Sequence, residues 1–179
     1  MLGRNVDKDY IDLVYTDDKL GGQLAAYYLI NFHHLDKFVY IKLANAECSR
    51  RRFDAFQKAV KELNSDAEIA VINQNQLNTK LIQLIHNQYY GLFCFNDELA
   101  YEALKILNKE IPNVRKVLPR LHIVGYDCIS TRINCFTDLT SIDFDYDEIC
   151  HTAVKFLLNR FEKIKLEQQK IVFTVKLHQ

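Results

Sequence analysis

Short apolar runs alternate with amphipathic segments along most of this chain, and no other feature limits the fold as much. Residues 11–15, 38–43, 67–72, 90–95, 121–125 and 170–177 read as strands, rich in β-branched, aromatic and leucine side chains. Between them, apolar residues recur at three and four positions. Segments 19–30, 51–63, 79–86, 97–107 and 145–163 therefore read as helices, and Phe53, Phe56, Val60 and Leu63 mark one face of the second. The stretch 111–119, which holds both prolines, reads as a loop. Strands that alternate with helices predict an α/β fold: a parallel sheet with helices on both faces. In such sheets ligands bind outside the carboxyl ends of the strands. Asn96 follows the strand at 90–95 and Asp127 the strand at 121–125, so the two share one rim.

Composition narrows the function classes. Of 179 residues, 49% are hydrophobic, enough for a sizeable core. Lys and Arg total 23 against 23 Asp and Glu, so the chain has no basic excess for gripping nucleic acid by itself. No apolar run is long enough to span a bilayer, and the first residues are too polar for a secretory signal. The five cysteines (Cys48, Cys94, Cys128, Cys135 and Cys150) are odd in number and form no closely spaced pair. They read as free thiols in a reducing, cytoplasmic setting rather than as zinc ligands. His33-His34 does not suggest a metal, since adjacent residues do not share a helix face; a histidine at a helix end is the simpler reading. With five glycines and no Gly-x-Ser-x-Gly elbow, neither a nucleotide cradle nor a nucleophile site is visible, and no enzyme activity or cofactor is expected.

Several motifs occur in order: "VYTDDKLGGQLAAYYLI", "SRRRFDAF", "FNDELA", "IVGYD" and "LTSIDFDYDEICHTAVKFLLNRF". Together they resemble the effector-binding core of the lactose/galactose-repressor (LacI/GalR) transcription factors. That resemblance implies a periplasmic-binding-protein-like fold of two α/β lobes with a ligand cleft between them. It also implies that the helix-turn-helix, the hinge helix and most of the N-terminal lobe have no counterpart here. On that mapping, residues 1–16 are a remnant of the N-terminal lobe and 17–141 the C-terminal, effector-binding lobe. Residues 142–165 return to the N-terminal lobe, and 166–179 form a final strand crossing back. The helix at 145–163 carries Ile149, Ala153, Phe156, Leu157 and Phe161 on one stripe, which suggests a face for association, as in a homodimer.

The same resemblance nominates Arg52, Asn96, Asp127, Thr16 and Phe144 as ligand-binding residues. Arg52 matches an effector-contacting arginine, and its fixed fork of donors suits two neighbouring sugar hydroxyls. As part of Arg50-Arg51-Arg52 it reads equally as a solvated helix start. Asn96 can read a hydroxyl or cap the helix that follows, and Asp97 reads as a structural partner at that helix N-terminus. Asp127 can accept from two hydroxyls or be an acidic loop residue, while Tyr126 points to the other face and packs. Thr16 stands where the family has an apolar or aromatic contact. Phe144 can stack on a sugar face or fill an interface. His33, Ala55 and Asp138 depart from the family pattern, which bears on local geometry more than on the fold. The function implied is sugar sensing by a LacI-type regulator, in which a bound ligand shifts the DNA affinity of the intact dimer. The alternative is a sugar-binding protein of an uptake system with the same fold.

Overall fold

A computed structural model describes residues 11–129, 139–162 and 167–179. Cys135 and Asp138 lie outside the described residues. The chain divides into two compact units, one of Met1–Asp17 with Phe144–Val175, the other of Asp18–Asp143 with Lys176–Gln179. The secondary structure runs β1 (Leu13–Thr16), α1 (Asp18–Tyr27), a π-helical turn (Tyr28–Phe32), β2 (Lys37–Lys42), α2 (Glu47–Leu63), β3 (Glu68–Asn73), a 3-10 turn (Gln74–Gln76), α3 (Leu77–His86), β4 (Gly91–Cys94), α4 (Asp97–Glu110), α5 (Val114–Val117), β5 (His122–Tyr126), β6 (Thr140–Asp143), α6 (Tyr146–Glu162), β7 (Lys170–Phe173) and β8 (Lys176–His178).

In the larger unit the sheet order is β3-β2-β4-β5-β6-β8. The pairings from β3 to β6 are parallel, and β8 closes the edge antiparallel to β6. This is the α/β architecture that the alternating runs predict. Period-two alternation sorts the side chains by type. Phe38, Tyr40, Phe93 and Tyr126 bury toward one face of the sheet, where Phe56 of α2 meets Phe93 at 5.2 Å and Phe38 at 5.8 Å between ring centroids. Val39, Ile41, Leu92 and Cys94 point the other way, into an aliphatic core with Leu77, Leu81 and Ile85 of α3 and Leu99, Ala103 and Leu107 of α4. The chain changes direction across the sheet between β2 and β4, the kind of switch point where α/β sheets hold ligands. At Gly22 a Cβ would run into the carbonyl of Arg52, so glycine is what lets α1 lie against the backbone of α2.

In the smaller unit β1 and β7 pair in parallel, and Val14 packs with Ile149 and Phe156 of α6. Arg160 donates two hydrogen bonds to Asp12, at 2.8 and 2.6 Å, and that pairing holds the Asp12 carboxyl below its usual range. Of the stripe read on this helix, Ile149 and Phe156 are buried and Ala153 packs beside them, whereas Leu157 and Phe161 are 57% and 78% exposed.

Three local readings need correction. Residues 170–177, read as one strand, are two strands in different sheets, since β7 pairs with β1 and β8 with β6. The irregular chain before α6 contains β6, whose Thr-Ser-Ile-Asp sequence lacks an apolar run because its serine is buried for hydrogen bonding. The loop at 111–119 contains the single turn α5, started by Asn113 with φ 59° and tied by the Val114 N–H to Asn108.

At the end of the π-helical turn, His33 stacks its ring on His122 at 3.3 Å between centroids, with Tyr28 edge-on to His33 at 4.6 Å. Burial lowers the pKa of both histidines. His122 falls to about 4, helped by the neighbouring His33. A depressed histidine favours the unprotonated fold, so its contribution is present above the ordinary value of about 6.5 and lost as pH falls through about 4. Wild type is therefore expected to lose stability relative to His122→Phe across that window. Urea midpoints of the two proteins measured at several pH values check this, and parallel midpoints would rule it out.

Candidate functional site

Arg52 is the centre of the rim. The hydroxyl of Tyr40, buried on β2, donates to the Ser49 carbonyl at 2.8 Å and so fixes the first turn of α2. Arg52, in the next turn of that helix, is 6% exposed. Its Nε donates to Asp18 Oδ1 at 2.9 Å, and its Nη1 donates to the Phe95 carbonyl at 2.6 Å. The guanidinium plane lies 3.3 Å from the centroid of Tyr126 and 4.9 Å from that of Phe95. Burial works against its charge. Tyr126, Asp18 and Asp127 outweigh that effect and raise its pKa, so the cation is secure. The solvated reading of this residue does not fit such burial, whereas Arg50 beside it is solvated and pairs with Glu47 and Asp54 on the helix surface.

Asn96 follows Phe95, at the carboxyl end of β4. Its Oδ1 accepts from the Leu99 N–H at 3.0 Å, so it does cap α4, and the cap orients the side chain at the rim. Asp97 is fully buried. Its carboxylate accepts from the Ser141 hydroxyl at 2.7 Å and from the Ile129 N–H at 2.7 Å. At Gly125 a Cβ would strike that carboxylate. Burial pushes the Asp97 carboxyl up to about 6. Asp127 follows β5 with φ 94° and Cys128 follows with φ 47°, both in the left-handed region. The Asp127 N–H donates to the Ile142 carbonyl at 2.9 Å, which ties this turn to β6.

Arg52 thus bridges the ends of β4 and β5, bonded to the residue before Asn96 and stacked on the residue before Asp127. Tyr126 is buried, as its alternation predicts. Thr16 and Phe144 belong to the smaller unit. There Thr16 is buried on β1, and the half-buried Phe144 stacks on Tyr146 at 4.4 Å. Sequence reading missed Asp18 as the partner of Arg52. An acidic residue at a helix start reads first as a favourable charge for the helix dipole, and nothing local announces a pair formed across 34 positions.

A family model for the periplasmic binding protein-like domain matches residues 27–179. The chain belongs to the periplasmic binding protein-like domain family. Among proteins similar to it is the HTH-type transcriptional repressor PurR of Actinobacillus pleuropneumoniae serotype 5b (strain L20), 26% identical over 94% of this chain and 52% of the repressor. Another is the ribose operon repressor of Escherichia coli (strain K12), 26% identical over 91% of this chain and 51% of the repressor. The chain spans about half the length of these relatives. A LacI family transcriptional regulator from Enterococcus faecium with bound ribose matches at TM-score 0.80 and 23% identity, over 98% of this chain and 66% of that one. A periplasmic binding protein/LacI transcriptional regulator from Alkaliphilus metalliredigens QYMF, complexed with D-xylulofuranose, matches at TM-score 0.79 and 22% identity, over 98% and 66% of the two chains. The resemblance to LacI-type regulators carried by the sequence motifs is borne out, and so is the fold. No helix among the described residues of this periplasmic binding protein-like chain is long and apolar enough to cross a membrane.

Proposed function

We propose that this periplasmic binding protein-like chain is the effector-sensing part of a LacI-type transcriptional regulator and that its rim at Arg52, Asn96 and Asp127 takes a sugar. The observation that carries the reading is the Arg52 guanidinium, buried yet held flat at the ends of β4 and β5 by Asp18, the Phe95 carbonyl and the Tyr126 ring. A fixed cation fork, a carboxylate and an amide at one rim offer donors and acceptors in alternation, which is what vicinal hydroxyls need. Thr16 and Phe144 remain proposed contacts from the family resemblance, and the proposal does not depend on them. The relatives matched over most of the chain are repressors, which favours regulation over uptake. In the intact regulator the effector acts by its differential affinity for two states, typically ~1–3 kcal/mol, and so moves DNA affinity. Self-association as a homodimer, with the exposed Leu157 and Phe161 of α6 at the contact, belongs to the same proposal, as does a cytoplasmic location.

Calorimetry with a panel that includes ribose, xylose and cellobiose tests the reading. At least one sugar is expected to bind with one-to-one stoichiometry, and Asp127→Asn to weaken it by about tenfold, the loss of one charge-assisted hydrogen bond. Asparagine tolerates the left-handed backbone at this position, so the variant is expected to keep the wild-type fold and to lose only the modest stability that the Asp127 charge lends to Arg52. A panel without a binder, or a bound sugar indifferent to Asp127→Asn, would overturn the assignment.

A further inference from the structure

Cysteine spacing argues against zinc in this sequence, but the fold gathers ligands that the sequence keeps far apart. The Cys128 sulfur, a carboxylate oxygen of Asp143 and an imidazole nitrogen of His178 lie within 4.8 Å of one another. All three belong to the larger unit. We propose that they form a site for one divalent cation of borderline softness, zinc in the first place. The inference goes beyond the effector reading and does not depend on it.

The backbone prepares the cluster. Left-handed conformations at Asp127 and Cys128, φ 94° and 47°, turn the chain at the end of β5. The Cys128 N–H donates to the Ser141 hydroxyl at 3.0 Å, and that hydroxyl donates to buried Asp97 at 2.7 Å, so the turn holding the thiol is fixed from behind. In the antiparallel ladder Ser141 faces His178 and Asp143 faces Lys176. With a side-chain period of two, Asp143 and His178 therefore project to one face of the β6–β8 edge. Cys128 is buried, while Asp143 and His178 are partly open and leave a way in.

The donor set selects the metal. A sulfur and an imidazole disfavour magnesium and calcium, which take oxygen ligands. Thiolate, imidazole and carboxylate are the three zinc ligand types, with bonds of ~2.0–2.3 Å. Such bonds place tetrahedral ligand atoms roughly 3.3–3.8 Å apart. From separations within 4.8 Å, the cluster closes to that spacing by a contraction of at most about 1–1.5 Å, within the reach of side-chain rotation on a fixed edge. On binding, the Cys128 thiol gives its proton to solvent, and thiolate and carboxylate then balance the two positive charges. Lys176, 75% exposed, sits with its Nζ 3.6 Å from Asp143 Oδ2, so a mobile ammonium already balances that carboxylate and can swing into water as the cation enters. Three protein ligands leave a fourth position for water or an exogenous oxygen.

The full chain, stripped of metal and kept reduced, is titrated with cobalt(II) as a spectroscopic stand-in for zinc. A thiolate-to-cobalt charge-transfer band is expected to saturate at one equivalent and to vanish when zinc is added. Cys128→Ser is expected to remove the band, and Cys128→Ser and His178→Gln each to weaken zinc at least about 100-fold. Cys150→Ser is expected to change nothing. Where Cys128→Ser perturbs the fold, site-resolved alkylation of wild type gives the same answer: zinc should slow modification of Cys128 and leave the exposed Cys150 unaffected. Absence of the band, zinc affinity unchanged in His178→Gln, or an alkylation rate at Cys128 indifferent to zinc would overturn the site. These readouts need no sugar, so failure of the effector panel leaves them intact.

Discussion

Arg52→Met is expected to lower the unfolding free energy by about 3–5 kcal/mol, the cost of leaving one partner of a buried ion pair behind. Asp18 is 9% exposed and would lose the guanidinium that its Oδ1 accepts from. The Phe95 carbonyl would lose its donor, and the Tyr126 ring its cation. Methionine keeps the aliphatic stem, so the loss reports the charged head more than the packing. Arg52→Lys keeps the charge but not the planar fork, and an intermediate loss is expected. Pairing Arg52→Met with Asp18→Leu removes both buried charges, and most of the stability should return. Urea unfolding followed by far-ultraviolet circular dichroism measures all four proteins; the chain has no tryptophan to report by fluorescence. A loss under ~1 kcal/mol for Arg52→Met would mean that the head group is solvated and that the pair does not hold the rim together.

The fold was legible because period-two and period-3.6 patterns are local. Phe38-Val39-Tyr40-Ile41 shows in four letters a strand buried on both faces, aromatic side chains on one side and aliphatic on the other. The rim was legible for a related reason: Asn96 and Asp127 each follow an apolar run, and a parallel sheet puts such ends side by side. What the sequence hid is made by pairing across distance. The Thr-Ser-Ile-Asp strand β6 is short and half polar, and its buried Ser141 makes sense only beside Asp97. The stretch 170–177 divides because β1 and β6 each claim one end of it, and neither claim is written in its own residues. Local pattern also left two readings open at Asn96. The geometry shows the cap, and the cap and a ligand contact are compatible, since the cap uses only the side-chain oxygen and leaves the amide donors.

Asp97→Ala is expected to cost about 3–5 kcal/mol, because one carboxylate closes the whole edge of the larger unit. It accepts from Ser141 on β6 and from the Ile129 backbone beyond β5, while standing in the first turn of α4. Without it, two donors lose their acceptor, at ~1–3 kcal/mol each. Asp97→Asn keeps an acceptor of nearly the same shape and is expected to cost much less. The two variants also separate by pH. Burial raises the Asp97 carboxyl to about 6, so the folded chain holds a proton that the unfolded chain has released. That contribution is fully present below the unfolded value of about 3.9 and is lost as pH rises through about 6. Wild type should therefore gain stability relative to Asp97→Asn on acidification across that range. The slope is opposite to that of His122, whose folded value of about 4 makes acid destabilising. Over most of the interval from about pH 4 to pH 6 the two groups oppose each other, and wild type should show less pH dependence than either group alone would impose. Replacing the titrating imidazole in His122→Phe exposes the Asp97 slope, and removing the carboxyl in Asp97→Asn exposes the histidine slope. Urea midpoints of the three proteins at a few pH values measure both. If the two variants tilt the same way with pH, the buried carboxyl is not protonated in the fold and the raised value assigned to it is wrong.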